Sequence, residues 1–140
     1  MNLKTKLVML DYFWIGLGGA IGSMGRFWIS SLVAHRFGEA FPLGTLLVNV
    51  TGSLAIGFIV SYPMPEGRWL ATPAFKVFFM TGICGGYTTF SSFSLQTFNL
   101  AQRGEWPLAA LNAVLSMTLC IGAVWLGHWL GGTIGSPKAN

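Results

Sequence analysis

Acidic side chains are scarce in this chain: its 140 residues include only Asp11, Glu39, Glu66 and Glu105. Charged residues of both signs make up 9%, against about 25% in an average soluble domain. Such a chain cannot clothe itself in a polar surface, which excludes an ordinary water-soluble fold. Basic residues are also few and nowhere clustered, so the net charge of +4 fits a membrane surface and not a nucleic acid. The two cysteines, Cys84 and Cys120, fall in apolar stretches and read as buried free thiols. His35 and His128 have no carboxylate or thiol near them at ligand spacing, which argues against a metal centre built on side chains. No nucleophile has a base and a carboxylate beside it, so no enzyme is expected.

What is abundant is apolar: hydrophobic residues make up 53% of the chain, and mean hydropathy is +0.62. Four apolar stretches, at about residues 12–34, 43–62, 72–98 and 106–130, each approach or exceed the roughly 20 residues that cross a hydrocarbon core about 30 Å thick. Length allows one compact domain, residues 1–140. The expected fold is all-α and integral to the membrane, with four spanning helices. Between them lie the polar stretches "RFGEAF", "PMPEGR" and "AQRGEW". No cleavable signal peptide and no internal repeat are expected. Four spans put both termini on one side, together with Lys4, Lys6, Arg68, Lys76 and Lys138. Only Arg36 and Arg103 lie on the other. The positive-inside rule then favours cytoplasmic termini, but the bias is small, as a protein inserting both ways up would need.

None of the four carboxylates lies in the core of a span. A proton-coupled exporter of cationic drugs needs an intramembrane acid, and a cation pore commonly uses acidic or carbonyl rings. The sequence leans away from cation exporters and leaves an anion, a neutral solute or no transport at all. The one charge inside a span is Arg26. It either snorkels to the interface or forms a positive vestibule that concentrates anions. Thr45, Asn49 and Ser53 recur every four residues in the second span and share a helix face; Asn112, Ser116 and Cys120 do the same in the fourth. Such faces serve as interhelical glue or as donors around an ion. Gly18, Gly22, Ser53 and Gly57 read as close-packing positions.

The third span carries "GGYTTFSSFS", residues 85–94. Gly85 and Gly86 weaken a helix there, and the hydroxyls of Thr88, Thr89, Ser91 and Ser92 can bond to backbone. The expectation is a helix break at mid-membrane, with freed carbonyls that suit a hard cation such as Na⁺. Phe90 and Phe93 follow at i, i+3, and an aromatic ring has a positive edge that suits an anion.

This stretch resembles the "GGxTTFSTFS" signature of the Fluc, or CrcB, fluoride channels. "GTLLVNVTGSLAIG" (44–57) is similar to that family's second-helix motif, and "GGAIGSMGRF" (18–27) to its first. The likeness runs in order over nearly the whole chain. It implies an antiparallel dimer of four-helix subunits in the lipid of a bacterial inner membrane, with two fluoride pores and a central structural Na⁺. By resemblance, Gly85 and Thr88 supply backbone carbonyls to Na⁺. Phe90, Phe93 and Asn49 belong to the pore, Arg26 to the vestibule and Ser116 to the polar track, with Thr45 and Ser91 as further hydroxyls of the pathway. Some members have Ser where this chain has Cys120, a weaker donor, and Ser92 replaces a more usual Thr. The expected function is passive exit of fluoride down its electrochemical gradient. The rival is a small four-helix exporter of cations or drugs.

Overall fold

The computed structural model describes residues 3–63 and 72–135, and all its regular elements are helical. Most of "PMPEGR", with Glu66 and Arg68, lies outside the described residues, as does Lys138. The first span is α1 (Leu3–Phe37) and the second α2 (Leu43–Ser61). Between them the backbone turns at Gly38, whose φ of 78° favours glycine. The third span comes in pieces: α3 (Pro73–Lys76), a π-helical stretch (Val77–Cys84), α4 (Gly85–Tyr87) and α5 (Phe90–Gln102). Thr72 caps its start by accepting from the Phe75 amide, and Pro73 occupies the first turn, where a missing N–H costs nothing. A second glycine turn, Gly104 at φ 79°, leads into α6 (Trp106–Gly135).

The helices pair through glycine. The most extensive contact is between α2 and α6. A Cβ added at Gly57 would strike the Val124 carbonyl, and one at Gly127 the Leu54 carbonyl. On the other side α1 lies against the third span, where Gly18 faces Phe78 and Gly82, Gly22 faces Ile83, and Gly86 faces Gly19. In lipid no hydrophobic force pulls helices together, so backbone-to-backbone approach at small residues supplies the packing. Ser53, read with Gly57 as a packing position, lies instead on the wall of a cleft.

The sealed interior is small. Leu100, Val48 and Asn112 are the largest wholly enclosed side chains, while Phe27, Trp28, Phe90 and Trp125 are among many large apolar groups left exposed. That inversion is expected where the solvent is hydrocarbon. Among the described residues two helices, Leu43–Ser61 and Trp106–Ile134, are long and apolar enough to cross a bilayer alone. α1 is longer than expected and carries Asp11 within the helix, where the sequence placed it in a loop or at a span end.

The break itself falls later than the glycines. Gly85 stays helical (φ −65°, ψ −38°), whereas Thr88 (ψ 157°) and Thr89 (φ −153°, ψ 115°) are extended. Gly86 therefore serves close approach to α1, and the chain is bent out of helical form by bonds to Thr89 from another span.

A cleft at the broken third span

Asn49 projects from α2 onto the break. Its Nδ2 donates to the Thr89 carbonyl (3.1 Å), and the Thr89 amide donates to its Oδ1 (2.8 Å). One side-chain amide thus replaces the helical partners of an extended residue, as buried backbone in a membrane requires. The Thr89 hydroxyl in turn accepts from the Ser92 amide (3.2 Å) and caps α5. In an unbroken helix the amides of Thr89 and Ser92 would close on the carbonyls of Gly85 and Thr88. Both amides are diverted, which leaves those two carbonyls without their helical donors.

The far side of the break is pinned by α1. Arg26 Nε donates to the Gly86 carbonyl (3.1 Å) and Ser23 Oγ approaches the same oxygen (3.4 Å). Thr88 adds its hydroxyl (2.8 Å) to its amide (2.9 Å) on the Cys84 carbonyl. Gly52 leaves room for the Thr88 methyl against α2, and Thr51 Oγ1 meets the Tyr87 hydroxyl at 2.9 Å.

Beside the break lies a cleft of about 320 Å³ between α2, the third span and α6. Asn49, Ser116, Phe90, Phe93, Gly85 and Thr88 all line it. The two rings sit 5.3 Å apart at a 48° tilt, with Phe90 72% exposed. Ser116 is buried. The other three residues singled out from the sequence are elsewhere. Thr45, buried, lines a second cavity of about 410 Å³ with Gln96, Asn99 and Arg103. Ser91 is exposed and meets the Thr89 hydroxyl at 3.2 Å. Arg26 is occupied with Gly86. Asn112 donates to Thr97 Oγ1 (2.8 Å), which donates to the Phe93 carbonyl (2.8 Å). That makes Asn112 the glue between α6 and α5 at the level of the second ring.

The family model described as CrcB-like protein, Camphor Resistance (CrcB), matches residues 13–128. The chain belongs to the CrcB family. Among curated relatives, a fluoride-specific ion channel FluC of Opitutus terrae is 57% identical over 84% of this chain and 89% of its own length. FluC of Rhodospirillum rubrum is 50% identical over 85% of this chain and 92% of its own, and FluC of Methylocella silvestris 48% over 92% and 98%. CrcB proteins form a family of ion channels and not of enzymes. As a CrcB member with long apolar helices, this chain is a membrane protein.

Two features of this CrcB chain escape sequence reasoning. Gln96 belongs to no motif in the sequence, yet its Oε1 is buried without a partner and it lines the second cavity with Thr45. Its spacing from Phe93, one turn along α5, was the signal. The clasp of Asn49 on Thr89 joins residues 40 apart, and no local pattern announces it.

Proposed function

We propose that two copies of this chain, inserted antiparallel, form a fluoride-selective channel that lets fluoride leave the cell passively across the inner membrane through two pores. The observation that carries this is the convergence of Asn49, Ser116, Phe90 and Phe93 on one cleft beside a broken helix. The names of the relatives support fluoride as the ion. Fluoride is small and tightly hydrated, so a narrow path must replace its water with donors at short range, yet hold it loosely enough for exit. Ser116 offers a hydroxyl. Asn49 Nδ2 has a second hydrogen beyond the one given to Thr89, and the clasp fixes where that hydrogen points. The rings of Phe90 and Phe93 offer positive edges. Thr45 and Ser91 lie outside the cleft and serve the approaches to it. Arg26, while bound to Gly86, keeps a positive charge near the break.

The carbonyls of Gly85 and Thr88, stripped of helical donors, fit a hard monovalent cation. They are the residues that would hold a Na⁺ shared with the second copy, and such an ion would supply positive charge beside the break. The drug-exporter alternative lacks its essential group, since no carboxylate lines the cleft.

Reconstitution into liposomes loaded in turn with fluoride and chloride is the test. Fast fluoride efflux with little chloride efflux is expected. Equal release of both, or proton-coupled cation exchange, would overturn the proposal.

A further inference from the structure

Tyr87 is the last helical residue before the break, and its ring occupies a slot left by glycines on two other spans. A Cβ added at Gly52 on α2 would lie 3.1 Å from Tyr87 Cδ1 and 3.6 Å from Cε1. One added at Gly25 on α1 would lie 3.7 Å from Cδ2 and 3.9 Å from Cε2. The ring therefore stands with one edge toward each helix, and its hydroxyl meets Thr51 Oγ1 at 2.9 Å. Thr51 Oγ1 also lies 2.8 Å from the Leu47 carbonyl and 3.2 Å from that of Val48. A carbonyl only accepts, and a hydroxyl has one hydrogen. Thr51 thus donates to its own helix, and Tyr87 donates to Thr51. Tyr87 is not among the residues that line the cleft, so this hydroxyl is not a donor to an ion there.

We infer that Tyr87 is a positioning residue: its bond to Thr51 holds the end of α4 against α2 and so aims the carbonyls of Gly85 and Thr88 at a monovalent cation. The inference rests on the cation site proposed above. Gly85 opens α4, Tyr87 closes it and Thr88 follows, so the two bare carbonyls flank the tied residues. Between them the Gly86 carbonyl is held to α1 by Arg26, and the Tyr87 hydroxyl is held to α2 by Thr51. Ring packing alone fixes how closely α4 sits between α1 and α2. The hydroxyl adds a directional bond that resists rotation of α4 about its axis. Such rotation would swing the Gly85 carbonyl off the ion, and a binding constellation tolerates displacements of only about 0.5 Å.

The test follows Na⁺ binding without transport, through the thermal unfolding midpoint of the purified full chain in detergent. N-methylglucamine replaces Na⁺ at constant ionic strength. A ligand that binds only the folded state raises the midpoint as its concentration rises, and such a rise is expected for the native protein. Tyr87→Phe keeps the ring in its slot, so it folds. Relative to its own Na⁺-free midpoint, it should need about three- to tenfold more Na⁺ for the same rise, as loss of one hydrogen bond implies. Thr51→Val should match it, and Thr51→Ser should restore the native requirement. Tyr87→Phe combined with Thr51→Val should add nothing to either change alone, since both remove one bond. An unchanged Na⁺ requirement in Tyr87→Phe would overturn the inference even if Na⁺-free stability fell, because a merely structural tie lowers stability and leaves the requirement alone. Additive effects of the two single changes, or no rescue by Thr51→Ser, would overturn it too. A native protein whose midpoint does not respond to Na⁺ would sink the cation site itself. A native response without these differences would remove only the part given to Tyr87.

Discussion

Asn49 bridges two spans, and on the function proposed above it would also serve as the anion donor that the sequence presented as the alternative. Its polar stripe read either as glue or as an anion donor. The structure engages it with Thr89 through both ends of the amide, and the same group faces the cleft. Asn49→Ala is expected to orphan the Thr89 amide and carbonyl at about 1–3 kcal/mol each, read as a fall in the thermal unfolding midpoint of the purified protein. Asn49→Asp separates the two roles. One carboxylate oxygen still accepts from the Thr89 amide, while the other faces the Thr89 carbonyl and puts a negative charge in the cleft. Like charges about 4 Å apart repel by roughly 4 kcal/mol at an effective dielectric of 20, and about 1.4 kcal/mol suffices for a tenfold drop in rate. Fluoride efflux from Asn49→Asp liposomes should fall at least about tenfold. Undiminished flux would remove Asn49 from the path. Arg26 was poorly legible for a related reason. Local spacing leaves Arg26 to snorkel or to form a vestibule, but a bond to a carbonyl 60 residues away is invisible to it.

At the scale of elements, length and apolarity marked the spans well. The second was read to within a residue of α2, and the start of the fourth matches α6. What escaped was the internal shape of the third. Glycine is a weak helix former, so Gly85 and Gly86 were the natural place for a break. Yet Gly85 keeps helical angles, and the break comes where tertiary bonds capture Thr89. The π-helical stretch from Val77 to Cys84 left no mark in composition either. The packing role of the glycines, by contrast, was partly legible and can be tested on α6 alone. At Gly127 a methyl meets the Leu54 carbonyl, whereas at Gly122 it meets nothing within 4 Å. Gly127→Ala should force α2 and α6 apart and destabilise by about 1–3 kcal/mol, as overpacking does. Gly122→Ala should be neutral or gain up to about 1 kcal/mol from helix propensity. Denaturation in detergent distinguishes them, and equal effects would mean that α2 and α6 do not meet through Gly127.

For the whole molecule, the scarcity of charge that marks the sequence also governs how it inserts. With eight Lys and Arg in total, and Arg26 committed inside a span, few basic residues remain to vote on orientation. On the four-span reading the termini and the connection around residues 63–72 carry four of them, and Lys76 at the start of the third span a fifth, against Arg36 and Arg103 opposite. Arg103 is also partly offset by Glu105, 3.4 Å away. Orientation is set by Lys and Arg in short loops near span ends, and a few added charges can invert a topology. An antiparallel pair built from one gene product needs both orientations in supply, so a near-balanced chain is what that assembly demands. Adding three lysines at the N-terminus should commit every copy to cytoplasmic termini. Replacing Arg36 and Arg103 by Gln should push the same way. If function requires opposed copies, either change alone abolishes fluoride efflux from cells, and mixing it with a copy biased in reverse, with lysines added to the 38–42 turn, restores it. Accessibility of single cysteines placed in that turn reports the orientation directly. Full efflux from a population shown to face one way would rule out the antiparallel assembly, while leaving the cleft beside Thr89 as the path within each chain.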